Sequence, residues 1–343
     1  MTRKALYISN FKKTLILILF IAAFASASVG VGEFYESIAA KNKVNLWSEQ
    51  RFSDFYALER NSIDIAFLGS SHSYCTFDPE KLEDTLGMTC YQLGMPGQLP
   101  DATYYTLLEL LNYQNPKCVV VELYWELTDK EFDMKQAEAL FRALKNEELQ
   151  KDYFKNVVPP GEKLSYMIKP VRYQRDVFAW AETRFWSVAE EKLGVKRRVP
   201  EGVEYYRSKG YIYCDYVMGE DEYVKISNEK GLDGAQWRIA GAQEKYLRMI
   251  AELCGERRIK LAFVTAPVSN VYLSGVERYD AIYDAARSLA DECGAPYLDF
   301  NQVNAQKNVF EDKRFRDARH LNDSGSTVAC AYFAEWLKNI LVE

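Results

Sequence analysis

Residues 63–73 read Ile-Asp-Ile-Ala-Phe-Leu-Gly-Ser-Ser-His-Ser, a short apolar run that stops at a glycine followed by hydroxyl-bearing side chains. A nearly continuous apolar run at 63–68 predicts a strand covered on both faces, as strands of parallel sheets are. Working outward, 118–124 and 260–265 have the same character, and 89–93 and 296–300 supply two shorter strands. Helical segments with readable ends alternate with them. Asp78-Pro79 predicts a cap and a first-turn proline with Gly87 as the stop. Asp101 opens the next helix, Gly294 ends another over 276–293, and 323–341 forms the last. This alternation predicts an α/β fold, a doubly wound, mostly parallel five-stranded sheet.

Between the third and fourth strands, residues at about 128–235 form a largely helical insertion, too long for a loop. Within it, 205–216 reads as a tyrosine-rich strand or loop. The basic residues Arg172, Arg175, Arg184, Lys196, Arg197, Arg198, Arg207 and Lys209 read as a solvated helical face.

The composition narrows the classes. With 343 residues, 48% hydrophobic and 27% charged, the chain has material for one large core and is not disordered. A net charge of −6 argues against a cationic surface for phosphates, so no nucleic-acid partner is expected. Seven widely spaced cysteines without a Cys-x-x-Cys pair, and only two histidines, leave no zinc ribbon and no redox dithiol. Buried free thiols are the expectation, and no metal or organic cofactor is implied.

The amino terminus carries a membrane signal. Arg3, Lys4, Lys12 and Lys13 precede an uncharged stretch, 14–32, that includes Leu-Ile-Leu-Ile-Leu-Phe-Ile-Ala-Ala-Phe-Ala. A positive flank before such a stretch implies export, either on an uncleaved anchor over 1–32 or on a signal cleaved near Ala25-Ser26-Ala27. The body, 33–343, then lies outside the cytoplasm with a net charge near −10. It is tethered to the cell membrane if the helix stays and secreted if it is cut.

In open α/β sheets ligands bind beyond the carboxyl ends of the strands, so the residues there are the candidates. Gly69-Ser70-Ser71-His72-Ser73 follows the first strand, Gly94-Met95-Pro96-Gly97-Gln98 the second, Trp125-Glu126 the third and Ala266-Pro267-Val268-Ser269-Asn270 the fourth. The fifth leads to Asp317-Ala318-Arg319-His320. A serine hydroxyl needs a base in contact, and His320 supplies one. Asp317, three residues earlier, is placed to accept the other imidazole N–H and hold the tautomer. The Ser71 and Gly94 backbone N–H groups are candidate oxyanion donors. These are the parts of an acyl-transfer site.

Three stretches resemble conserved blocks of SGNH/GDSL hydrolases: Asp-Ile-Ala-Phe-Leu-Gly-Ser-Ser-His-Ser at 64–73, Tyr-Gln-Leu-Gly-Met-Pro-Gly-Gln at 91–98 and Asp-Ala-Arg-His-Leu-Asn-Asp-Ser-Gly at 317–325. The nearest flavour is the membrane-anchored, cell-envelope branch that includes D-alanine-transfer proteins of the DltD type and polysaccharide O-acetyltransferases. The resemblance implies Ser71 as nucleophile, His320 and Asp317 as its partners and Gly94 as an oxyanion donor. Where the Gly-Asp-Ser form has aspartate this chain has Ser70, which leaves the choice between Ser70 and Ser71 open. No Gly-x-Asn-Asp follows the third strand, so the third donor falls to the Trp125 indole or the Gln98 amide. His72 is read as a substrate contact or a supporting residue rather than as the base, and the sequence leaves a Ser71–His72 arrangement open.

The function expected is an extracytoplasmic serine esterase or O-acyltransferase acting on ester-linked groups of a cell-envelope polysaccharide or teichoic-acid-like polymer. Its partners would be that polymer or a small ester, the membrane through the N-terminal helix, and a membrane acyltransferase. The alternative is a non-catalytic scaffold or binding protein on the same fold.

Overall fold

The computed structural model describes residues 3–193, 201–227 and 231–342. It divides into two compact units, Met1–Leu46 with Pro159–Arg198, and Trp47–Val158 with Val199–Glu343. Lys196, Arg197 and Arg198 lie outside the described residues.

The second unit holds the sheet. Its strands are β1 (Ile65–Leu68), β2 (Cys90–Gln92), β3 (Cys118–Glu122), β4 (Lys260–Thr265) and β5 (Tyr297–Asp299). All pair in parallel, in the order β2-β1-β3-β4-β5. This is the doubly wound arrangement the apolar runs predict. Its order reverses between β1 and β3, which opens a crevice beyond their carboxyl ends. Alternate side chains serve two cores. Ala66, Leu68, Val119, Val121 and Phe263 pack on one face, and Ile65, Phe67, Cys118, Val120 and Val264 on the other. Because both faces are covered, the strands read as unbroken apolar runs rather than alternating ones.

The helix Pro79–Leu86 forms as predicted, with the Asp78 carboxylate accepting from the Glu80 N–H and Gly87 closing it at φ 65°. Asp101 behaves otherwise. The helix there is Pro100–Leu111, its cap position is Leu99, and Asp101 is buried in the first turn between Tyr153 Oη and Gln243 Nε2. The helix expected over 276–293 is Tyr279–Glu292, because Val276–Glu277 pairs instead with Leu232–Asp233.

Between β3 and β4 this unit contains several helices and a hairpin, Glu204–Ser208 with Tyr211–Cys214. Arg207 pairs with Asp78 and Glu80, and Lys209 with Glu83, so these two cations tie the hairpin to the helix Pro79–Leu86 rather than facing solvent alone. All seven cysteines are free thiols and all but Cys293 are buried.

The first unit is built on the helix Arg3–Ala39, whose portion Phe11–Ala39 is by length and composition long and apolar enough to cross a membrane. A signal sequence and an anchor share these properties. Three helices of the insertion, Pro160–Met167, Lys169–Arg172 and Gln174–Leu193, belong to this unit. Lys169 Nζ donates to Glu33 and Glu36 at 2.6 and 2.7 Å, and Tyr173 Oη donates to Glu36 at 2.9 Å. The backbones meet at Gly32, where a Cβ would lie 2.6 Å from the Lys169 Cβ.

Candidate active site

β1 delivers the site through a turn that needs glycine. Gly69 has φ +130°, and a Cβ there would lie 2.8 Å from the Glu122 Cβ. Ser70 follows as the N-cap of the short helix Ser71–Thr76, its hydroxyl accepting from the His72 N–H at 3.1 Å.

The two serines then part company. Ser70 is buried, and both its N–H and its Oγ–H donate to Glu122 Oε2, at 3.0 and 2.7 Å. Ser71 is only partly buried, and its Oγ lies 2.8 Å from His320 Nε2. The hydroxyl in contact with a base is that of Ser71. Its N–H opens the helix, where no intrahelical carbonyl is in reach.

His320 and Asp317 come from a tight loop. Phe315 bridges Leu321, and the Arg316 N–H donates to the His320 carbonyl. His320 Nδ1 lies 2.9 and 3.0 Å from the two Asp317 oxygens. Asp317 Oδ1 also accepts the Arg319 and His320 backbone N–H groups, at 2.8 and 2.9 Å. Burial pushes the Asp317 carboxyl up, but the His320 ring, then Arg316, then the Arg319 N–H outweigh it and hold the carboxyl well below its ordinary range. Arg316 is itself fixed by Glu204 at 2.7 Å. Asp317 therefore stays a carboxylate facing Nδ1, which leaves Nε2 as the lone-pair nitrogen toward Ser71.

His72 lies between Tyr124 and His320, its ring centroid 3.8 Å from the first and 4.6 Å from the second. Burial, then the nearby His320, pushes its pKa well below the ordinary imidazole value. It is a neutral, buried wall of the site and makes no contact that would serve as the base of Ser71.

Two of the expected oxyanion donors, the Gly94 N–H and the Gln98 amide, are already engaged. The Gly94 N–H donates to Gln92 Oε1 at 2.9 Å. Glycine is needed there because a Cβ would lie 2.9 Å from the Gly69 carbonyl oxygen, so the close approach is to the nucleophile turn. Gln98 is buried in its own turn, with Oε1 accepting the Met95 N–H and Nε2 donating to Thr103. Trp125 lines an apolar cavity with Leu123, Trp237, Tyr279, Ile282 and Tyr297, and its buried Nε1 has no partner among the described residues. The Gly94 N–H and the Gln98 amide are thus engaged locally, and the Trp125 indole N–H is buried without a partner among the described residues.

Two residues under the site went unread in the sequence. Gln92 receives both the Gly94 N–H and the Ser73 hydroxyl. Glu122 is buried, holds Ser70, and keeps Oε1 without a partner among the described residues. Burial pushes its carboxyl up to about 7, against the pull of the two Ser70 hydrogen bonds. The signal was a polar side chain closing an otherwise apolar run, Cys-Val-Val-Val-Glu at 118–122 and Cys-Tyr-Gln at 90–92. Among the described residues no group of three or more His, Cys, Asp or Glu is placed to hold a metal ion.

No family model and no curated protein matches the chain. Among solved structures, a GDSL-like lipase from Bacteroides thetaiotaomicron aligns with 85% of this chain and 98% of its own, at 12% identity and a TM-score of 0.38. An acetyl xylan esterase aligns with 80% of this chain and 99% of its own, at 14% identity and a TM-score of 0.34. The site rests on its own geometry: a serine, a histidine and an aspartate in hydrogen-bonded sequence at the carboxyl end of a parallel sheet.

Proposed function

We propose that the chain is an extracytoplasmic serine esterase or O-acyltransferase acting on ester-linked groups of a cell-envelope polysaccharide or teichoic-acid-like polymer. The observation that carries the reading is the contact of Ser71 Oγ with His320 Nε2 at 2.8 Å, with His320 Nδ1 on Asp317. Ser71 Oγ attacks the ester carbonyl while His320 Nε2 takes its proton. The tetrahedral oxyanion forms beside the Ser71 N–H. The ester C–O bond breaks, the alcohol leaves with the proton from His320, and an acyl-serine remains. Water or a sugar hydroxyl, deprotonated by the same histidine, then takes the acyl group and restores Ser71. Asp317 keeps the tautomer and faces the imidazolium in each half. The charged flank and apolar span of the N-terminal helix support an exported, membrane-tethered enzyme.

The engaged Gly94 N–H is the observation that favours a non-catalytic scaffold instead. Fluorophosphonate labelling of the full chain in detergent, with mass mapping, separates the two. Labelling at Ser71 that persists in Ser70→Ala and vanishes in Ser71→Ala supports the enzyme. A folded chain that takes no label supports the scaffold.

A further inference from the structure

We propose that the insertion helices Pro160–Met167, Lys169–Arg172 and Gln174–Leu193 lie in the plane of the membrane that the N-terminal helix crosses, with their apolar side chains among the lipids of its outer leaflet. The inference rests on the reading of that helix as a retained anchor.

The first observation is an apolar face in the wrong place for a water-soluble surface. Leu164 and Met167 share one face of Pro160–Met167 at i and i+3, Ile168 follows in extended backbone, and Val171 lies on the short helix after it. These apolar side chains are bare: Leu164 is 65% exposed and Met167 72%, and no residue of Pro160–Met167 is buried. The longer helix carries a continuous helical stripe, Phe178, Ala181, Phe185 and Val188 at i, i+3, i+7 and i+10, in which Phe178 is 71% exposed and Phe185 65%. Soluble monomers rarely expose apolar side chains in such contiguous rows, and rows of this kind mark a partner or a membrane.

The second observation selects the membrane. These helices are clamped to the N-terminal helix at one level, by the backbone approach at Gly32 and the pairs of Lys169 with Glu33 and Glu36. Gly32 is the last residue of the uncharged stretch 14–32. At 1.5 Å per residue that stretch spans about 28 Å, close to the hydrocarbon thickness of a bilayer, so the clamp falls where the helix emerges. The side chains near it are of interfacial type. The Arg172 guanidinium lies 3.8 Å from the centre of the Tyr166 ring and 4.8 Å from that of Tyr173, and Trp180 and Trp186 follow on the longer helix. A stripe of this spacing flanked by cations, held at headgroup depth, is how an interfacial helix is built.

The test uses the full chain reconstituted in phosphatidylcholine–phosphatidylglycerol vesicles, with and without acyl chains brominated near the headgroup. Trp180 and Trp186 are two of six tryptophans, so bromination is expected to lower total emission by up to about one third. Trp180→Phe with Trp186→Phe, which keeps the apolar character, should abolish that fall. Equal emission in the two lipids, or a fall unchanged in the double variant, would overturn the proposal; a second copy covering this face would give the first of these results. Alkaline carbonate extraction of native membranes with N-terminal sequencing separates the underlying reading. A released chain that begins after Ala27 overturns the anchor and the proposal with it, whereas a retained, full-length chain with unquenched tryptophans overturns the proposal alone.

Discussion

Glu122→Gln probes the floor of the site through its dependence on pH. In the folded chain burial raises the Glu122 carboxyl from 4.5 to about 7, outweighing the two Ser70 hydrogen bonds on one oxygen while the other has no partner among the described residues. A folded pKa above the unfolded one means that the folded state binds the proton more tightly. The stabilisation is fully present below about 4.5 and is lost as pH rises through about 7. At 1.36 kcal/mol per pKa unit the whole shift is worth about 3 kcal/mol. About 2 kcal/mol of it disappears between about pH 5.5 and about pH 8.5. Glutamine keeps a carbonyl for the two Ser70 donors and removes the titration. The variant should therefore gain on the wild type by about 2 kcal/mol across that interval. Urea unfolding of the two detergent-solubilised chains at both pH values, followed by tryptophan fluorescence, measures the difference, and contributions from every other titrating group cancel in it. A wild-type-to-variant gap that is the same at both pH values would refute the reasoning, since an ionised Glu122 would then carry no burial penalty.

Asp317→Asn should leave the fold intact and lower kcat on a small ester by about 10³–10⁴-fold, because the amide no longer holds the imidazole tautomer; a loss below tenfold would remove Asp317 from its role. Gly69→Ala should destabilise the chain by about 3 kcal/mol in thermal melts, the sum of strain at φ +130° and the contact with the Glu122 Cβ. His72→Gln should leave the shape of the pH–rate profile unchanged, since burial already keeps that imidazole neutral; a lost limb would contradict this. A thiol reagent such as dithionitrobenzoate should modify no more than Cys293 in the folded chain and all seven cysteines after denaturation.

Much of the architecture was legible in the sequence because it is written locally. Apolar runs such as Ala66-Phe67-Leu68 and Val119-Val120-Val121 need only their neighbours to read as strands buried on both faces, and Asp78, Pro79 and Gly87 mark a helix by their own backbone preferences. Asp317 and His320, three residues apart in one loop, were likewise within reach of a local reading. Where local signals competed, the reading failed. Asp101 looks like a cap, yet Tyr153 and Gln243 claim its carboxylate from other elements.

What the tertiary structure alone decided is which groups are already engaged. Ser70 and Ser71 are chemically equal neighbours; Glu122, 52 residues away, takes the first, and His320, 249 residues away, takes the second. Gly94 and Gln98 carry the donors an oxyanion requires, but Gln92 accepts the first and the Thr103 hydroxyl the second. A hydrogen-bonding group serves a ligand only if no nearer partner satisfies it. Composition and spacing show that the group exists, whereas only the packing of distant segments shows whether it is spoken for.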